Sequence, residues 1–169
     1  MHGAPPAAAR TIPLNESEST SVIRLERWGA LYARIAIGAA FLSSVAARFG
    51  LWGAQSGWKD FSDFTRYTAQ VNSFMPPATI PVLAWAATVA ELSLGIALIV
   101  GVRLRLAAVG SALLLALFGT AMAISFGIKA PLDYSVFSAS AGALLLAFYE
   151  TRHERDSSRR GTSHPHPLI

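Results

Sequence analysis

Residues 85–118, WAATVAELSLGIALIVGVRLRLAAVGSALLLALF, hold two long apolar runs joined by a short basic connection. With its flanking residues, each run is about as long as the roughly 20 residues that a helix needs to cross the hydrocarbon core of a membrane. One carboxylate, that of Glu91, lies within the first run. A charge near the bilayer centre costs about 2.5–3.5 kcal/mol on insertion scales, so another group must compensate for it.

The rest of the chain has the same membrane composition. Of its 169 residues, 53% are hydrophobic and 14% are charged, whereas an ordinary soluble domain has about 25% charged residues. The apolar residues form blocks without the alternation of barrel strands, which predicts transmembrane helices over residues 28–49, 80–100, 104–124 and 132–149. We therefore predict an all-α fold, a four-transmembrane-helix bundle within residues 26–150. A soluble helical bundle is the alternative.

The loop between the first two blocks predicts a further helix over about residues 58–72. Its apolar residues recur at intervals of three and four, which is typical of an amphipathic helix lying at a membrane interface; they are Phe61, Phe64, Tyr67, Thr68, Val71 and Phe74. Trp52 and Trp58 are suited to anchor this helix at the interface. Such a helix either caps the core at headgroup level or covers a cavity lined by Arg48, Asp133 and Tyr134. Asp133 could equally cap the last helix.

The basic residues indicate the orientation of the bundle. Nine arginines lie on one predicted side of the membrane: Arg10, Arg24, Arg27, Arg103, Arg105, Arg152, Arg155, Arg159 and Arg160. The opposite loops hold Lys59, Arg66 and Lys129, with Arg48 at their edge. Because basic residues resist translocation, both termini are predicted to be cytoplasmic. Residues 1–25 and 151–169 are predicted to be a flexible arm and a flexible tail. The net charge of +4 is explained by this asymmetry and by anionic lipid headgroups, and no nucleic-acid binding is predicted because the chain has no folded soluble module with a basic face.

Several kinds of chemistry are excluded by what the chain lacks. It has no cysteine, so this chain itself cannot perform thiolate chemistry or disulfide exchange or ligate an iron–sulfur cluster through cysteine. Its histidines, at positions 2, 153, 164 and 166, lie outside the predicted membrane helices, which excludes an intramembrane haem held by histidine. No metal site and no intrinsic cofactor are predicted.

Two segments carry a resemblance to a known family. LYARIAIGAAFLSSVAARFGLWG, residues 31–53, and AELSLGIALIVGVRLRLAA, residues 90–108, resemble the DoxX family of small membrane proteins. The matching positions are Arg34, Arg48, Glu91, Gly101, Arg105, Ala107 and Ala108. Many DoxX proteins also carry a histidine late in the third helix, where this chain has MAISFG, so a role of that histidine cannot be carried over. The resemblance covers about residues 28–149 and implies a component of a bacterial inner membrane that is linked to quinone or sulfur metabolism, with a redox partner.

The partner that we predict for Glu91 is Arg34. If the first two transmembrane helices are antiparallel neighbours, the two residues differ in depth by about 6 Å, which two extended side chains can span. This ion pair either fixes the register of the helices or offers one member to a quinone carbonyl or another small polar headgroup. In the remaining alternative, Glu91 is protonated and unpaired.

These observations favour an accessory membrane subunit that binds a small lipidic molecule such as a quinone for a redox partner, without catalysing a reaction alone. A small-molecule carrier and a structural assembly subunit without ligand are the alternatives. Besides the lipid bilayer, a second copy of the chain is a candidate partner, because small residues line the third and fourth helices. The candidate ligand-binding residues are Arg34, Arg48, Trp58, Glu91, Asp133 and Tyr134.

Overall fold

The computed structural model describes residues 16–55 and 57–161, and this part of the chain is all-helical, with no strand. Six helices follow one another: α1 Glu16–Arg48, α2 Phe61–Val71, α3 Ile80–Val100, α4 Leu104–Phe126, α5 Lys129–Asp133 and α6 Val136–Gly161. Short 3-10 turns, Gly53–Gln55 and Pro77–Thr79, precede α2 and α3. The predicted all-α class is confirmed.

Three helical segments in the described residues are long and apolar enough to cross a membrane: Thr20–Arg48, Pro77–Val100 and Leu104–Phe126. The chain is therefore a multi-pass membrane protein. The fourth predicted crossing, in α6, is not long and apolar enough to be counted with these three. The helix begins at Val136 and becomes charged from Glu150 onward. Its apolar part is thus about 14 residues long, or about 21 Å of helix.

Two helices extend further than the sequence analysis placed them. Residues 16–25, which were predicted within the flexible arm, form the first turns of α1, and residues 151–161 of the predicted tail continue α6. Residues 1–15 and 162–169 lie outside the described residues. The helices α1 and α6 are longer than their apolar runs because charged residues end an apolar run without breaking a helix. The backbone hydrogen bonds of a helix are internal both in water and in lipid.

The α3–α4 connection makes these two helices antiparallel neighbours. Gly101 ends α3 in the left-handed conformation with φ +88°, and its N–H donates to the carbonyl of Ala97. Arg103 also has a positive φ, of 46°, immediately before α4 begins. Because the connection is this short, α4 packs antiparallel to α3.

The bundle is held by two close helix pairs, α1 with α3 and α4 with α6. Small residues let the backbones approach. A Cβ added to Gly38 of α1 would lie 3.1 Å from the carbonyl oxygen of Gly95 in α3, and one added to Gly95 would lie 3.1 Å from that of Gly38. In the second pair, Gly119 of α4 lies beneath the ring of Phe137 in α6. A Cβ added to Gly119 would lie 2.7 Å from Cε1 of that ring.

Side-chain contacts define the two ends of the bundle. At one end the Arg34 side chain donates to the carbonyl of Leu98, and Arg105 lies 3.7 Å from Glu154. We call it the basic end; it contains residues 16–34, 98–106 and 150–161. The opposite end, which we call the α2 end, contains residues 44–55, 57–79 and 125–136. Both ends of the described chain therefore lie at the basic end.

Candidate functional site

An ion pair between Arg48 and Glu91 lies near the α2 end of the bundle. Arg48 is the last residue of α1, and Glu91 lies in the middle of α3. Their atoms Nη2 and Oε1 are 2.5 Å apart, and the two side chains are only 4% and 2% exposed. The pair is thus enclosed between two helices rather than solvated.

Two hydroxyl groups complete the surroundings of the Arg48 guanidinium. Its Nη1 donates to Thr88 Oγ1 at 2.8 Å, and its Nη2 donates to Ser44 Oγ at 3.2 Å. The Thr88 hydroxyl itself donates to the carbonyl of Ala84. Ser44 is exposed on the surface of α1, so this side of the pair lies one side chain below the surface of the bundle.

The second carboxylate oxygen of Glu91 is left without a partner. Among the described residues, Oε2 is the only buried side-chain nitrogen or oxygen that makes no hydrogen bond. Buried polar groups in proteins are nearly always hydrogen-bonded, and leaving one unpaired costs about 1–3 kcal/mol, more when it is charged. This oxygen is therefore the unusual feature of the site.

Helix α2 covers the pair. The ring of Phe64 lies over the Arg48 guanidinium, with its centroid 3.8 Å from Cζ, which is a cation–π contact. Phe64, Thr68 and Val71 form the buried face of α2. In the described structure α2 thus contacts the site from the first loop; it begins at Phe61 and is capped by the side chain of Asp60.

Aromatic rings surround this cover. Phe61 is stacked on Phe49 with centroids 5.6 Å apart, and its centroid lies 4.4 Å from that of Trp85. The aromatic cluster, as we call it, consists of Phe49, Trp58, Phe61, Phe64, Tyr67 and Trp85. Beside Trp85, an open apolar groove of about 480 Å³ runs along the outer face of α3, lined by Pro81, Val82, Ala86 and Val89 as well.

The two ends of α2 are held differently. At its C-terminal end, the Ser125 hydroxyl of α4 donates to the carbonyl of Val71 at 2.6 Å. Before its N-terminal end, the connection from α1 contains three glycines with positive φ, at Gly50, Gly53 and Gly57. α2 is thus fixed to α4 at one end and linked to α1 by a segment that uses conformations suited to glycine.

Titration shifts at this end have local causes. The hydroxyl of Ser62 donates to Asp60, and with the N–H groups of Asp63 and Ser62 it holds the pKa of Asp60 below its ordinary value. Burial raises the pKa of the Tyr67 phenol above its ordinary value. Asp60 is therefore ionised and Tyr67 is protonated at neutral pH.

The predicted Arg34–Glu91 ion pair is wrong. Arg34 lies at the basic end, where its Nε donates to the carbonyl of Leu98 at 2.9 Å and its Nη2 to that of Ile99 at 3.2 Å. Side chains on a helix lean toward its N-terminus, so Arg34 leans toward the basic end and away from Glu91. Arg34 instead satisfies carbonyl groups at the C-terminal end of α3.

The predicted cavity lined by Arg48, Asp133 and Tyr134 is not formed in the described residues. Asp133 pairs with Lys129 on the surface, with side chains 56% and 83% exposed, and Tyr134 is 74% exposed. Asp133 also ends α5 rather than capping α6. The reason is that α5, which the sequence analysis missed, keeps these residues in a surface turn before α6.

Trp58 contacts Phe64, the residue of α2 that covers the pair. Its ring meets Phe64 edge-on with centroids 6.0 Å apart and lies 5.2 Å from the ring of Tyr67. Sequence reasoning did not select the contacting residues Ser44, Thr88 and Phe64. A signal for the first two existed, since Ser44 and Thr88 precede Arg48 and Glu91 by four and three residues, which places each on the same helix face as its charged neighbour.

A cation site is not evident. No group of three or more His, Cys, Asp or Glu side chains in the described ranges is arranged to hold a metal ion. What the arrangement offers is one fixed guanidinium, one carboxylate oxygen free to accept a hydrogen bond, and flat aromatic faces. Such a set can bind a small polar group attached to an apolar molecule.

Comparison with known proteins corrects the family assigned from the sequence. The model of the family described as methylamine utilisation protein MauE matches residues 26–135, well over half of the chain. No curated protein and no solved structure matches the chain. The resemblance to the DoxX family is therefore wrong as an assignment, because the family model that matches is a different one. The chain belongs to the MauE family.

Proposed function

We propose that this protein is an accessory membrane protein that binds a small lipid-soluble molecule at the Arg48–Glu91 pair. One observation carries the proposal: Glu91 Oε2 is buried and has no hydrogen-bond partner. A pair kept only for packing gains nothing from an unpaired oxygen, whereas a binding site needs an unused polar atom for its ligand.

A ligand with a flat head and an apolar tail fits the surroundings best, and a quinone, in its oxidised or its reduced form, is the example that we favour. The head would lie at Glu91 beside the rings of the aromatic cluster. The exposed position of Ser44 supports access from the lipid side, and the apolar groove beside Trp85 is suited to a hydrocarbon tail. In this proposal α2 is the cover of the site, lying at the outer membrane interface with its polar face toward water.

We further propose the following topology. α6 forms the fourth crossing, and its short apolar part is supported by its long contact with α4. The basic end faces the cytoplasm, because it collects the arginines that resist translocation, in a bacterial inner membrane. The α2 end then faces outward, and a ligand bound there is accessible to a partner on that side.

The accessory role rests on what the site can do alone. It has one ion pair, hydroxyl groups and aromatic rings, and the chain has no cysteine for thiol chemistry. The family description places MauE in methylamine utilisation, and we propose that this chain likewise serves another protein, one that carries out redox chemistry with the bound molecule. A carrier is less well supported, since Arg48 and Glu91 are the only buried charged side chains in the described part of the bundle.

Mass spectrometry of small molecules retained by the detergent-purified protein tests the proposal. The native chain is compared with Glu91→Gln and Arg48→Gln, and Arg34→Gln is the matched control because it alters an arginine of the same helix at the other end. We expect one defined molecule in the native chain and in Arg34→Gln, and its loss from the two site variants with helical content unchanged. Equal retention by all four proteins, or retention of nothing, would mean that the pair is structural.

A further inference from the structure

We infer that the molecule bound at this site presents a hydroxyl hydrogen to Glu91 Oε2, so that the site selects a hydroxylated ring over the corresponding carbonyl compound. This inference rests on the proposed function and deepens it by naming the chemical class of the ligand. A phenolic lipid, such as a prenylated hydroquinone, is the kind of molecule that has this group on a flat, lipid-soluble ring.

The first step concerns what Oε2 can do. The Arg48 guanidinium lies 2.5 Å from the other oxygen of the same carboxylate, and this contact favours the ionised form of Glu91. An ionised carboxylate only accepts hydrogen bonds. A carbonyl or ether oxygen beside Oε2 would bring two hydrogen-bond acceptors together without a hydrogen between them. A hydroxyl group would instead donate its hydrogen to Oε2.

The second step concerns the donors of the site. Arg48 already donates from Nη1 to Thr88 and from Nη2 to Ser44 and Glu91. No buried side-chain nitrogen of the described residues is without a partner. The unmet requirement is therefore for a donor, which a quinone lacks and a hydroquinone has.

The third step concerns the shape of the ligand. The wall of the site on the α2 side consists of ring faces, with Phe64 over the guanidinium and Phe61 packed on Trp85. Aromatic rings gain about 0.5–1.5 kcal/mol from offset or edge contacts beyond their burial. The ring of a phenol gains this aromatic contribution when it packs against these residues, whereas an aliphatic alcohol has no ring to contribute it.

A set of three matched probes tests the inference. They are a short-chain prenylated hydroquinone kept reduced under nitrogen, the corresponding quinone, and the dimethyl ether of the hydroquinone. Their dissociation constants are measured on the purified full chain in detergent by the quenching of its tryptophan fluorescence. We expect the native protein to bind the hydroquinone at least tenfold more tightly than the quinone and the dimethyl ether, and Arg34→Gln to behave like the native protein.

Glu91→Gln makes the test sharper. The amide oxygen of the new side chain must face Arg48, which only donates, so its NH₂ group takes the position of Oε2. That group donates, and the preference should therefore fall below twofold or turn toward the quinone. The ranking in the native chain is informative by itself, should this variant fail to fold.

The outcomes separate the inference from the proposed function. Equal affinity for the three probes, a preference for the quinone, or an unchanged preference in Glu91→Gln would overturn the donor requirement while leaving a binding site at the pair. Absence of binding by every probe, with no small molecule retained in the mass-spectrometry experiment, would overturn both.

Discussion

Gly38 and Gly95 lie against each other where α1 crosses α3, so that a Cβ added to either glycine would lie 3.1 Å from the carbonyl oxygen of the other. This contact sets the register of the two antiparallel helices and decides which arginine meets Glu91. At 1.5 Å per residue, Glu91 lies about 6 Å from the contact toward the α2 end, and Arg48 lies about 15 Å from it in the same direction. Because each side chain leans toward the N-terminus of its own helix, the two lean toward each other across the remaining 9 Å or so.

A substitution at this contact should cost stability. Gly38→Ala puts a methyl group 2.8 Å from Ile99 Cγ1 and 3.1 Å from a backbone oxygen, and we expect a loss of about 1–3 kcal/mol in the free energy of unfolding. Gly29→Ala is the matched control on the same helix, where nothing lies within 4 Å. It should be neutral or stabilising by up to about 1 kcal/mol, because alanine restricts the unfolded chain. Unfolding by SDS in mixed micelles measures both, and equal effects of the two variants would refute the contact.

The register also explains how far the sequence could be interpreted. Composition and block lengths were enough for an all-helical membrane protein, because hydropathy depends on the residues alone. Hydropathy alone could not decide whether Arg34 or Arg48 pairs with Glu91. Both residues face α3, being two heptads apart on α1, and only the glycine contact places Arg34 about 12 Å along the axis from Glu91, leaning away from it. The predicted 6 Å difference in depth depends on a helix that begins at residue 28, whereas α1 begins at Glu16.

Other parts of the site depended on tertiary contacts that no local pattern predicts. Phe64 has the spacing of a buried residue in an amphipathic helix, but its position over Arg48 depends on how α2 folds back onto α3 and α4. Asp133 and Tyr134 do lie at the α2 end, but the cavity predicted there required them to be buried. The short helix α5 instead leaves them on the surface.

Breaking the buried pair should be far more costly than breaking a surface pair of the same length. Glu91→Ala leaves an uncompensated buried guanidinium, and Arg48→Met leaves an uncompensated carboxylate; each should lose about 3–5 kcal/mol of unfolding free energy. The double variant should lose about 1–3 kcal/mol less than the sum, because neither charge then remains alone. The surface pair Lys129–Asp133, also 2.5 Å long, is the control.

For that control we expect Lys129→Met or Asp133→Asn to lose about 0–1 kcal/mol of unfolding free energy, since solvent screens exposed pairs. The same SDS unfolding assay compares the two sets of variants. Additive losses in the double variant at the buried site would show that Arg48 and Glu91 do not depend on each other, contrary to the observed contact.

Arg34 should matter for stability and not for binding. Its guanidinium donates to two carbonyl groups at the C-terminal end of α3, and hydrogen bonds from a charged group contribute about 1.5–3 kcal/mol. Arg34→Gln should lose about that amount of unfolding free energy. Arg34→Lys should lose less, because it keeps a positive charge near the helix C-terminus while giving up the two-pronged geometry.

Ligand retention separates this structural role from a role in the site. In a sample with helical content equal to that of the native chain, Arg34→Gln should retain the same small molecule in the same amount. A selective loss of the molecule from folded Arg34→Gln would mean that the two ends of the bundle are coupled, and that the site extends beyond Arg48 and Glu91.

Acid should loosen the N-terminal end of α2 before the rest of the bundle, because of Asp60. This side chain accepts hydrogen bonds from the Ser62 hydroxyl and from the N–H groups of Asp63 and Ser62, which hold its pKa below the ordinary value of 3.8. A carboxylate whose pKa is lowered by folding stabilises the folded form fully above its ordinary pKa. That contribution is lost as the pH falls below the ordinary value and through the folded pKa.

Hydrogen exchange of the α2 amides, followed from neutral pH down past the ordinary pKa of aspartate, measures this loss. The matched control is Asp60→Asn, which keeps a capping side chain without a titratable group, and the ratio of native to variant exchange removes the intrinsic pH dependence. We expect protection at Asp63 and the adjacent amides to fall in the native chain and to stay level in the variant, while the Val71 end, fixed by Ser125, keeps its protection in both. A parallel fall in both proteins would mean that another carboxylate holds α2 in place, and the cover of the Arg48–Glu91 pair would then not depend on its N-terminal cap.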